Sequence, residues 1–288
     1  MATIPAMDLS PDLWVNQSEY PLNKLTSEQG AALLARMHGE LEQHGACCLE
    51  NFLTDDAVKL LAEEARSLVP LAYRGPEQAS PYFFNYENDA AKDLPDDHPL
   101  RIKTRRRLSQ VASDLIPDGS RLRTFYEWEG LARFLAAALK LPQLYRNADR
   151  YQALNISVMK PGGCQQWHFD SSPFVITLLL QPPQGGGDFE YVSGIRSDVD
   201  EHYDQVRDIL QGGNDAVRRV KLAAGTLMLF RGHYSLHRVT EVTGHRDRLQ
   251  SIFGFNSRPD CSGSLQSSIL HYGPRVAQLE ASQITESN

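Results

Sequence analysis

The sequence predicts a mainly β fold with flanking helices, and a change of pattern along its 288 residues is the reason. The first part of the chain repeats apolar residues every three or four positions, which is typical of amphipathic helices. After residue 151, short runs rich in Val, Ile, Leu, Thr and Phe alternate with Gly/Pro clusters. Many short strands separated by turn signals favour a β-sandwich, a jelly roll or a barrel.

The predicted helices lie mostly on the N-terminal side. One apolar stripe follows Ser27 and another follows Thr54, and Ser and Thr are good N-terminal caps because their oxygens accept from free backbone N–H groups. A strand at 46–52 separates these two helices, and helical spacing returns over 125–141. Residues 71–121 show no clear period, so we expect this segment to be irregular.

The predicted strands lie in the second half, in the runs ALNISVM, WHFD, FVITLLL, DFEYV, KLAAGTLMLF, HYSLHRV and RLQSIFGF. A charged stretch at 198–210 has helical spacing and is expected to be a helical insertion. The pattern as a whole predicts a single domain over 1–288. We divide it into a mainly helical flank at 1–150, a jelly-roll core at 151–260 and a C-terminal tail at 261–288, whose last dozen residues we expect to be loose.

Composition narrows the class of partner. The chain has 29 Lys and Arg against 36 Asp and Glu, a formal net charge of -7, so we expect no nucleic acid and no anionic membrane as partners. No apolar run approaches the roughly 20 residues that span a bilayer, and no signal peptide is recognisable. Four cysteines without regular spacing predict no disulfide framework, and we expect a cytoplasmic protein.

The run WHFD is the first candidate for chemistry. Residues two apart in a strand point to the same face, so His168 and Asp170 would present an imidazole and a carboxylate side by side. His237, on another predicted strand, is the candidate for a third ligand. Two histidines and one carboxylate on one face of a metal leave three positions open, as in non-haem Fe(II) oxygenases.

A chelating co-substrate and dioxygen would fill those open positions. If the co-substrate is 2-oxoglutarate, its distal carboxylate needs a cation deeper in the barrel. Arg248, at the start of the predicted strand RLQSIFGF, is our candidate for that cation, and Arg246 is the alternative.

Each of these residues also has an ordinary structural interpretation. His168 would fit a hydrogen-bonded core histidine, and Asp170 would fit the cap of a turn before Ser171, Ser172 and Pro173. Arg248 would fit a surface ion pair, the commonest place for an arginine. The combination of the three motifs in the β-rich half favours the metal site.

Two long segments carry a family resemblance: LNISVMKPGGCQQWHFDSSPFVITLLLQPPQGGGDFEYVSGIRS and AGTLMLFRGHYSLHRVTEVTGHRDRLQSIFGFNSRPD. They resemble the iron(II)/2-oxoglutarate oxygenases that are related to the lysine halogenases acting on free amino acids. YRGP and LIPDGSRLRTFYEWEGLARFLAAALKLPQLYRNAD resemble the same group more weakly. The resemblance implies a double-stranded β-helix, a cupin-like jelly roll, with Fe(II), 2-oxoglutarate and O2 as cofactors. It places the iron ligands at His168, Asp170 and His237 and the co-substrate contact at Arg248, with Asn155 as a further candidate.

The chain departs from its halogenating relatives at two points. Those enzymes have Gly where this chain has Asp170, which frees an iron position for chloride, so hydroxylation is implied here. Relatives that take lysine carry an acidic residue directly after the metal motif, whereas this chain has Ser171. A cationic substrate is therefore not implied.

The candidates for substrate contacts are Arg74 of YRGP, Tyr151, Gln165 and Ser171. The basic run 105–107 is either a second candidate for a substrate carboxylate or a solvated basic face.

The function expected from these observations is hydroxylation of an unactivated C–H bond in a free amino acid or a small amino-acid-derived metabolite. Three alternatives stay open: a hydroxylase of peptide or protein residues, a non-catalytic jelly-roll module that binds a metal or ligand, and a zinc hydrolase. A zinc hydrolase would use similar ligands but would have no need of Arg248.

Overall fold

Antiparallel sheet dominates the computed structural model, which describes residues 10–82 and 91–286. The strands in that part of the chain are β1 (Ala46–Leu49), β2 (Tyr73–Arg74), β3 (Gln78–Ala79), β4 (Thr104–Arg107), β5 (Ser109–Val111), β6 (Tyr145–Arg146), β7 (Leu154–Met159), β8 (Cys164–His168), β9 (Val175–Gln181), β10 (Gly185–Gly186), β11 (Phe189–Val192), β12 (Arg218–Val220), β13 (Leu227–Phe230), β14 (Leu236–Val239), β15 (Val242–Thr243), β16 (Arg248–Phe253) and β17 (Phe255–Asn256).

Two large sheets carry the architecture. The larger sheet has the strand order β1-β13-β9-β16-β7-β5-β2, and the smaller has the order β12-β11-β14-β8-β4-β3. The pairs β10-β15 and β17-β6 form two short ribbons beside them. This mainly β architecture, a double-stranded β-helix or jelly roll, confirms the predicted fold class.

Helices cover the fold from the N-terminal and C-terminal sides. In the described part of the chain they are α1 (Glu28–His44), α2 (Asp55–Leu68), α3 (Arg121–Glu127), α4 (Glu129–Ala138), α5 (Tyr203–Leu210), α6 (Leu265–Tyr272) and α7 (Arg275–Glu286). No helix among these residues is both long enough and apolar enough to cross a membrane.

The first two helices begin where the sequence predicts. The side chain of Ser27 accepts from the N–H of Gly30, and that of Thr54 accepts from the N–H of Ala57. Their buried stripes pack with α3 and α4 into one apolar cluster that includes the outer side of the larger sheet. The central strands β7 and β13 are buried along their whole length because helices cover one face and the second sheet lies on the other.

The helical spacing predicted over 125–141 corresponds to two helices, because the chain is extended at Trp128. This residue has φ -66° and ψ 119°, an extended conformation, and it separates α3 from α4. Its indole packs against Gly130, where a Cβ would lie 2.3 Å from the ring. The apolar spacing continues through the break because both helices bury their stripes in the same core, so the pattern did not show it.

The expectation of an irregular segment at 71–121 is wrong for four short stretches of it. Strands β2 and β5 extend the larger sheet and β3 and β4 extend the smaller one. Each of these strands has only two to four residues, which is too short for alternation to stand out in a sequence. Residues 83–90, within the same segment, lie outside the described residues.

The C-terminal tail at 261–288 is mostly helical, and α7 corrects the expectation that its last dozen residues are loose. Helices α6 and α7 occupy most of it, and Tyr272 and Val276 are buried against Ala112 and Tyr151. The insertion predicted at 198–210 is helical only from Tyr203 onward.

Candidate metal centre

Neighbouring strands of the smaller sheet bring two histidines together. His168 is the last residue of β8 and His237 the second of β14, and the two residues are directly paired across the antiparallel strands. Their ring centroids lie 4.0 Å apart, and both side chains are buried. The pairing of the strands therefore sets the two imidazoles on one face.

Asp170 reaches the same place from outside the strand. β8 ends at His168, so the prediction of a strand running through Asp170 is wrong by two residues. The backbone N–H of Asp170 donates to the carbonyl oxygen of Gly232 at 3.1 Å. A Cβ on Gly232 would lie 2.3 Å from Oδ2 of Asp170, so only glycine leaves room for this carboxylate.

The three side chains form a compact set of metal donors. Oδ2 of Asp170 lies 3.2 Å from Nε2 of His237, and Oδ1 lies 3.9 Å from Nε2 of His168. One donor atom from each residue can be chosen such that all lie within 4.8 Å of one another. This spacing suits a single metal ion between them.

Backbone carbonyls fix which nitrogen of each histidine faces the carboxylate. Nδ1 of His168 lies 2.8 Å from the carbonyl oxygen of Gln166, and Nδ1 of His237 lies 2.9 Å from that of Ser235. Each Nδ1 therefore carries the proton and donates it, which leaves the Nε2 lone pair for a metal.

The charges of the site favour the same chemistry. Burial, together with the neighbouring His237, lowers the pKa of His168 to about 3, so its imidazole is neutral at physiological pH. Burial opposes ionisation of Asp170, but the adjacent His237 and His168 lower the pKa of that carboxyl overall. Two imidazoles and one carboxylate are the donor set of non-haem Fe(II) oxygenases, and the residues present fit iron.

Phe169 lies between the two candidate ligands His168 and Asp170 in the sequence, and Arg196 packs against its ring. The guanidinium of Arg196 stacks on the Phe169 ring at 4.1 Å and donates through Nε to the carbonyl oxygen of His233 at 2.5 Å. Arg196 thereby ties the segment that carries Asp170 to the loop that contains Gly232.

Arg248 lies in the wall of the same cavity, at the start of β16. Its Nε donates to the carbonyl oxygen of Gly187 at 3.2 Å. Burial lowers the pKa of Arg248 to about 10, opposed by Asp188, so the group keeps its charge at neutral pH. A buried guanidinium facing a cavity suits the distal carboxylate of 2-oxoglutarate.

Arg246 does not reach the cavity, which corrects the alternative to Arg248. Its side chain is exposed and donates to the carbonyl oxygens of Pro182 and Pro183. Asn155 is buried on β7 but does not line the cavity, although its strand neighbour Ser157 does.

Two of the four candidates for substrate contacts line the cavity and two do not. Gln165 and Ser171 line the cavity, and Nε2 of Gln165 lies 2.9 Å from Nε2 of His168. Arg74 is exposed and pairs with Glu77, and the hydroxyl of Tyr151 donates to Glu280 at 2.7 Å, so neither reaches the cavity.

The basic run 105–107 alternates between outside and inside, as strand residues do. Arg105 is exposed, whereas Arg106 is buried in the wall of the cavity. Its Nη2 donates to Oε1 of Gln110 at 2.8 Å, while its Nε and Nη1 have no hydrogen-bond partner among the described residues. The interpretation of the whole run as a solvated face is therefore wrong for Arg106.

Gly75 of the YRGP motif packs against the side chain of Arg106. A Cβ at Gly75 would lie 2.4 Å from Nη1 of Arg106. Gly75 thus provides the space for the buried guanidinium, and the role given to Arg74 in the sequence analysis is not supported by its position.

Further polar residues line the cavity that the sequence did not indicate. Strand residues Ser157, Thr177 and Gln250 contribute to its wall, as do Ser267 and His271 of α6. Alternation along β7 and β16 could have indicated the inward face of the strands. No local signal marks His271, because its position depends on how α6 packs.

Comparison with known proteins identifies a family and several proteins of similar fold. A family model described as Halogenase D matches residues 97–270. Among solved structures, AviO1 from Streptomyces viridochromogenes Tue57 is similar with a TM-score of 0.54 and 16% identity, over 80% of this chain and 97% of that one.

Two proteins of nogalamycin biosynthesis are similar as well. The non-heme alpha ketoglutarate dependent carbocyclase SnoK has a TM-score of 0.53 and 12% identity, over 85% of this chain and 89% of its own. The corresponding epimerase SnoN has a TM-score of 0.52 and 15% identity, over 78% and 83%. Similarity at this level of identity shows the fold. No curated protein matches the sequence significantly.

The metal site predicts a sharp difference between two histidines. His237→Ala removes one of three ligands, so we expect the affinity for Fe(II) to fall at least about 100-fold. His245→Ala, a change at an exposed loop residue, should leave it unchanged. Anaerobic titration with Fe(II), followed by metal analysis of the desalted protein, measures both. A His237→Ala variant that binds stoichiometric iron with wild-type affinity would rule out this ligand.

The two arginines near the start of β16 predict a second contrast. Arg248→Ala should raise the apparent KM for 2-oxoglutarate by at least about 30-fold, because losing a buried charge partner costs about 2 to 5 kcal/mol. Arg246→Ala should change it less than about 2-fold, since that side chain lies outside the cavity. Initial rates of succinate formation at varied 2-oxoglutarate give both values. The opposite order would show that Arg246 is the contact.

Proposed function

The chain belongs to the Halogenase D family of iron(II)/2-oxoglutarate-dependent oxygenases, and we propose that it hydroxylates an unactivated C–H bond of a free amino acid or small amino-acid-derived metabolite. Its residues would hold Fe(II) at His168, Asp170 and His237 and 2-oxoglutarate at Arg248.

Asp170 is the observation that carries the choice of hydroxylation. Halogenating relatives have Gly at this position, which leaves one iron position open for the halide. Here a carboxylate stands within 3.2 Å of His237, and Gly232 leaves room for it. With three protein ligands, a chelating co-substrate and O2, no iron position would be left for chloride.

The chain itself contributes orientation and the exclusion of water. Bound Fe(II), with 2-oxoglutarate and O2, supplies the oxidising chemistry. The two sheets enclose a cavity of about 170 Å³, and apolar side chains of Phe189, Met228, Phe230 and Val239 form part of its wall. Arg248 provides the fixed charge against which the co-substrate would be oriented.

Arg106 supports a substrate with a free carboxylate. Taking a guanidinium out of water is costly unless an anion and hydrogen-bond acceptors compensate it. Burial lowers the pKa of Arg106 to about 10, and Gln110 is the one side-chain acceptor among the described residues that it reaches. A substrate carboxylate at its Nε and Nη1 would complete the pairing.

This requirement favours a free acid over an internal residue of a peptide, whose own backbone carboxyl is used in the peptide bond. It equally disfavours a zinc hydrolase, because Arg106 and Arg248 are two buried cations beyond the metal ligands. The non-catalytic alternative would not need a second anion subsite beside the metal site.

A screen of the twenty amino acids tests the reaction. We expect at least one to stimulate succinate formation and to gain the mass of one oxygen atom, read by mass spectrometry. Excess chloride or bromide should not change the product, because Asp170 occupies the ligand position a halide would need. The control is succinate release without an added amino acid. A halogenated product from the unmodified enzyme would contradict both the role of Asp170 and the reaction class.

The carboxylate subsite predicts a contrast between adjacent arginines. Arg106→Gln should raise the KM for the amino acid by at least about 30-fold, because the partner carboxylate loses its charge pair. The KM for 2-oxoglutarate should stay within about 3-fold of wild type. Arg105→Gln, which breaks an exposed pair with Glu241, serves as the matched control. Steady-state kinetics measure both KM values for the native enzyme and the two variants. An unchanged KM for the amino acid in Arg106→Gln would remove this residue from the substrate site.

A further inference from the structure

A bulge interrupts the pairing of β8 with β14 directly before the metal motif. His168 opposes His237, and in a regular ladder Val239 would then oppose the residue two positions before His168. It instead opposes Gln165, three positions before His168. β8 thus has one residue more than β14 between the two pairs, which is the arrangement of a β-bulge.

The bulge changes which side chains of β8 meet the cavity. In a regular strand, side chains three residues apart point to opposite faces, so His168 and Gln165 could not both face inward. The extra residue removes this conflict, and both side chains line the cavity. Arg106 of β4 is paired directly with Gln165 and lines the cavity as well. The bulge therefore puts a metal ligand and the row that contains Arg106 on the same side of the sheet.

Arg238 holds both bulged residues from the opposite face. Its guanidinium stacks on the ring of Trp167 at 4.4 Å, and its Nη1 donates to Oε1 of Gln166 at 3.3 Å. Its Nε donates at 2.6 Å to Oε2 of Glu190, a buried residue directly opposite on β11. One planar side chain of β14 therefore ties the bulge of β8 to the strand on its other side.

The bulged segment also contacts a metal ligand directly. The backbone carbonyl oxygen of Gln166 accepts from Nδ1 of His168 at 2.8 Å. Contacts of this kind orient metal-binding imidazoles. A change in the bulge would therefore act on His168 as well as on Gln165.

We propose that Arg238 is a positioning residue, which holds the bulge and so keeps His168 and the row of Arg106 on the same side of the sheet. The part that concerns Arg106 rests on the proposed function, which assigns a substrate carboxylate to it. Arg248, the proposed contact of 2-oxoglutarate, lies on β16 of the other sheet. Loss of the bulge should therefore weaken the binding of the amino acid and spare the co-substrate.

The test compares two arginines that pair with one carboxylate. Arg238 and Arg219 both pair with Glu190, and Arg219 pairs otherwise with Asp188, away from the bulge. The substrate is the amino acid that best stimulates succinate formation in the native enzyme, at saturating Fe(II). Arg238→Met should lower its kcat/KM by about 10- to 100-fold, mainly through KM, because a displacement of about 1 Å can cost that much.

Two values should stay near those of the native enzyme. The KM for 2-oxoglutarate in Arg238→Met should remain within about 3-fold, because distant sites act independently. Arg219→Met should change neither KM by more than about 2-fold, since exposed ion pairs contribute little. A general loosening of the fold would instead raise both KM values together.

Iron binding gives a readout without turnover. Arg238→Met should bind Fe(II) about 10-fold more weakly in anaerobic titration, because an outer contact of a ligand is disturbed, whereas Arg219→Met should match the native protein. Arg238→Lys keeps a cation beside Glu190, which protects the fold, but it has no planar group to stack on Trp167. It should show the same difference between the two KM values.

The outcomes distinguish this proposal from the proposed function. Parallel rises of both KM values, or equal effects of Arg238→Met and Arg219→Met, would overturn the role of Arg238 and leave the proposed function intact. So would a double variant of Arg238→Met with Arg106→Gln whose loss is the product of the single losses, because residues that act through one contact are not additive. If no amino acid stimulates succinate formation, the proposed function fails. A selective loss of iron affinity in Arg238→Met would then still support the role of the bulge at His168, and an unchanged affinity would overturn it.

Discussion

The pairing of β8 with β14 is the constraint on which the site depends. It sets His168 opposite His237, and backbone carbonyls then hold both Nδ1 atoms so that both Nε2 atoms face Asp170. The sheet therefore preorganises two of three donors, and the loop containing Gly232 positions the third. A shift of one residue in this pairing would turn one imidazole to the opposite face.

Two buried arginines determine the charge of the cavity wall. Arg248 and Arg106 are both removed from water, and burial lowers the pKa of each to about 10. A buried cation without an anionic partner lowers the stability of the folded protein. An anionic ligand that pairs with it would offset this cost. Glycines make their placement possible, since Gly75 packs against Arg106 and Gly187 against Arg248. The wall of the cavity thus carries two buried cations in addition to the three candidate metal ligands.

The segments around the barrel do more than cover it. Arg196 precedes the helical insertion; it stacks on Phe169 and donates to the loop before β14. It therefore connects the segment that carries His168 and Asp170 with the loop that leads to His237. Helix α6 adds Ser267 and His271 to the wall of the cavity. Interactions of this kind lie outside the strands, so the strands alone do not define the site.

The sequence by itself determined the mainly β class, the two capped helices, the triad residues and the preference for Arg248 over Arg246. Each of these follows from local pattern or from the identity of a few residues. Tertiary structure decided the rest, because the relevant signal lies in contacts between distant segments. The short strands of 71–121 acquire their role only by pairing with β7 and β8. Arg106 differs from Arg105 only by the face of the strand it occupies, and His271 enters the site only because α6 packs there. No single-sequence pattern encodes which distant surfaces will meet.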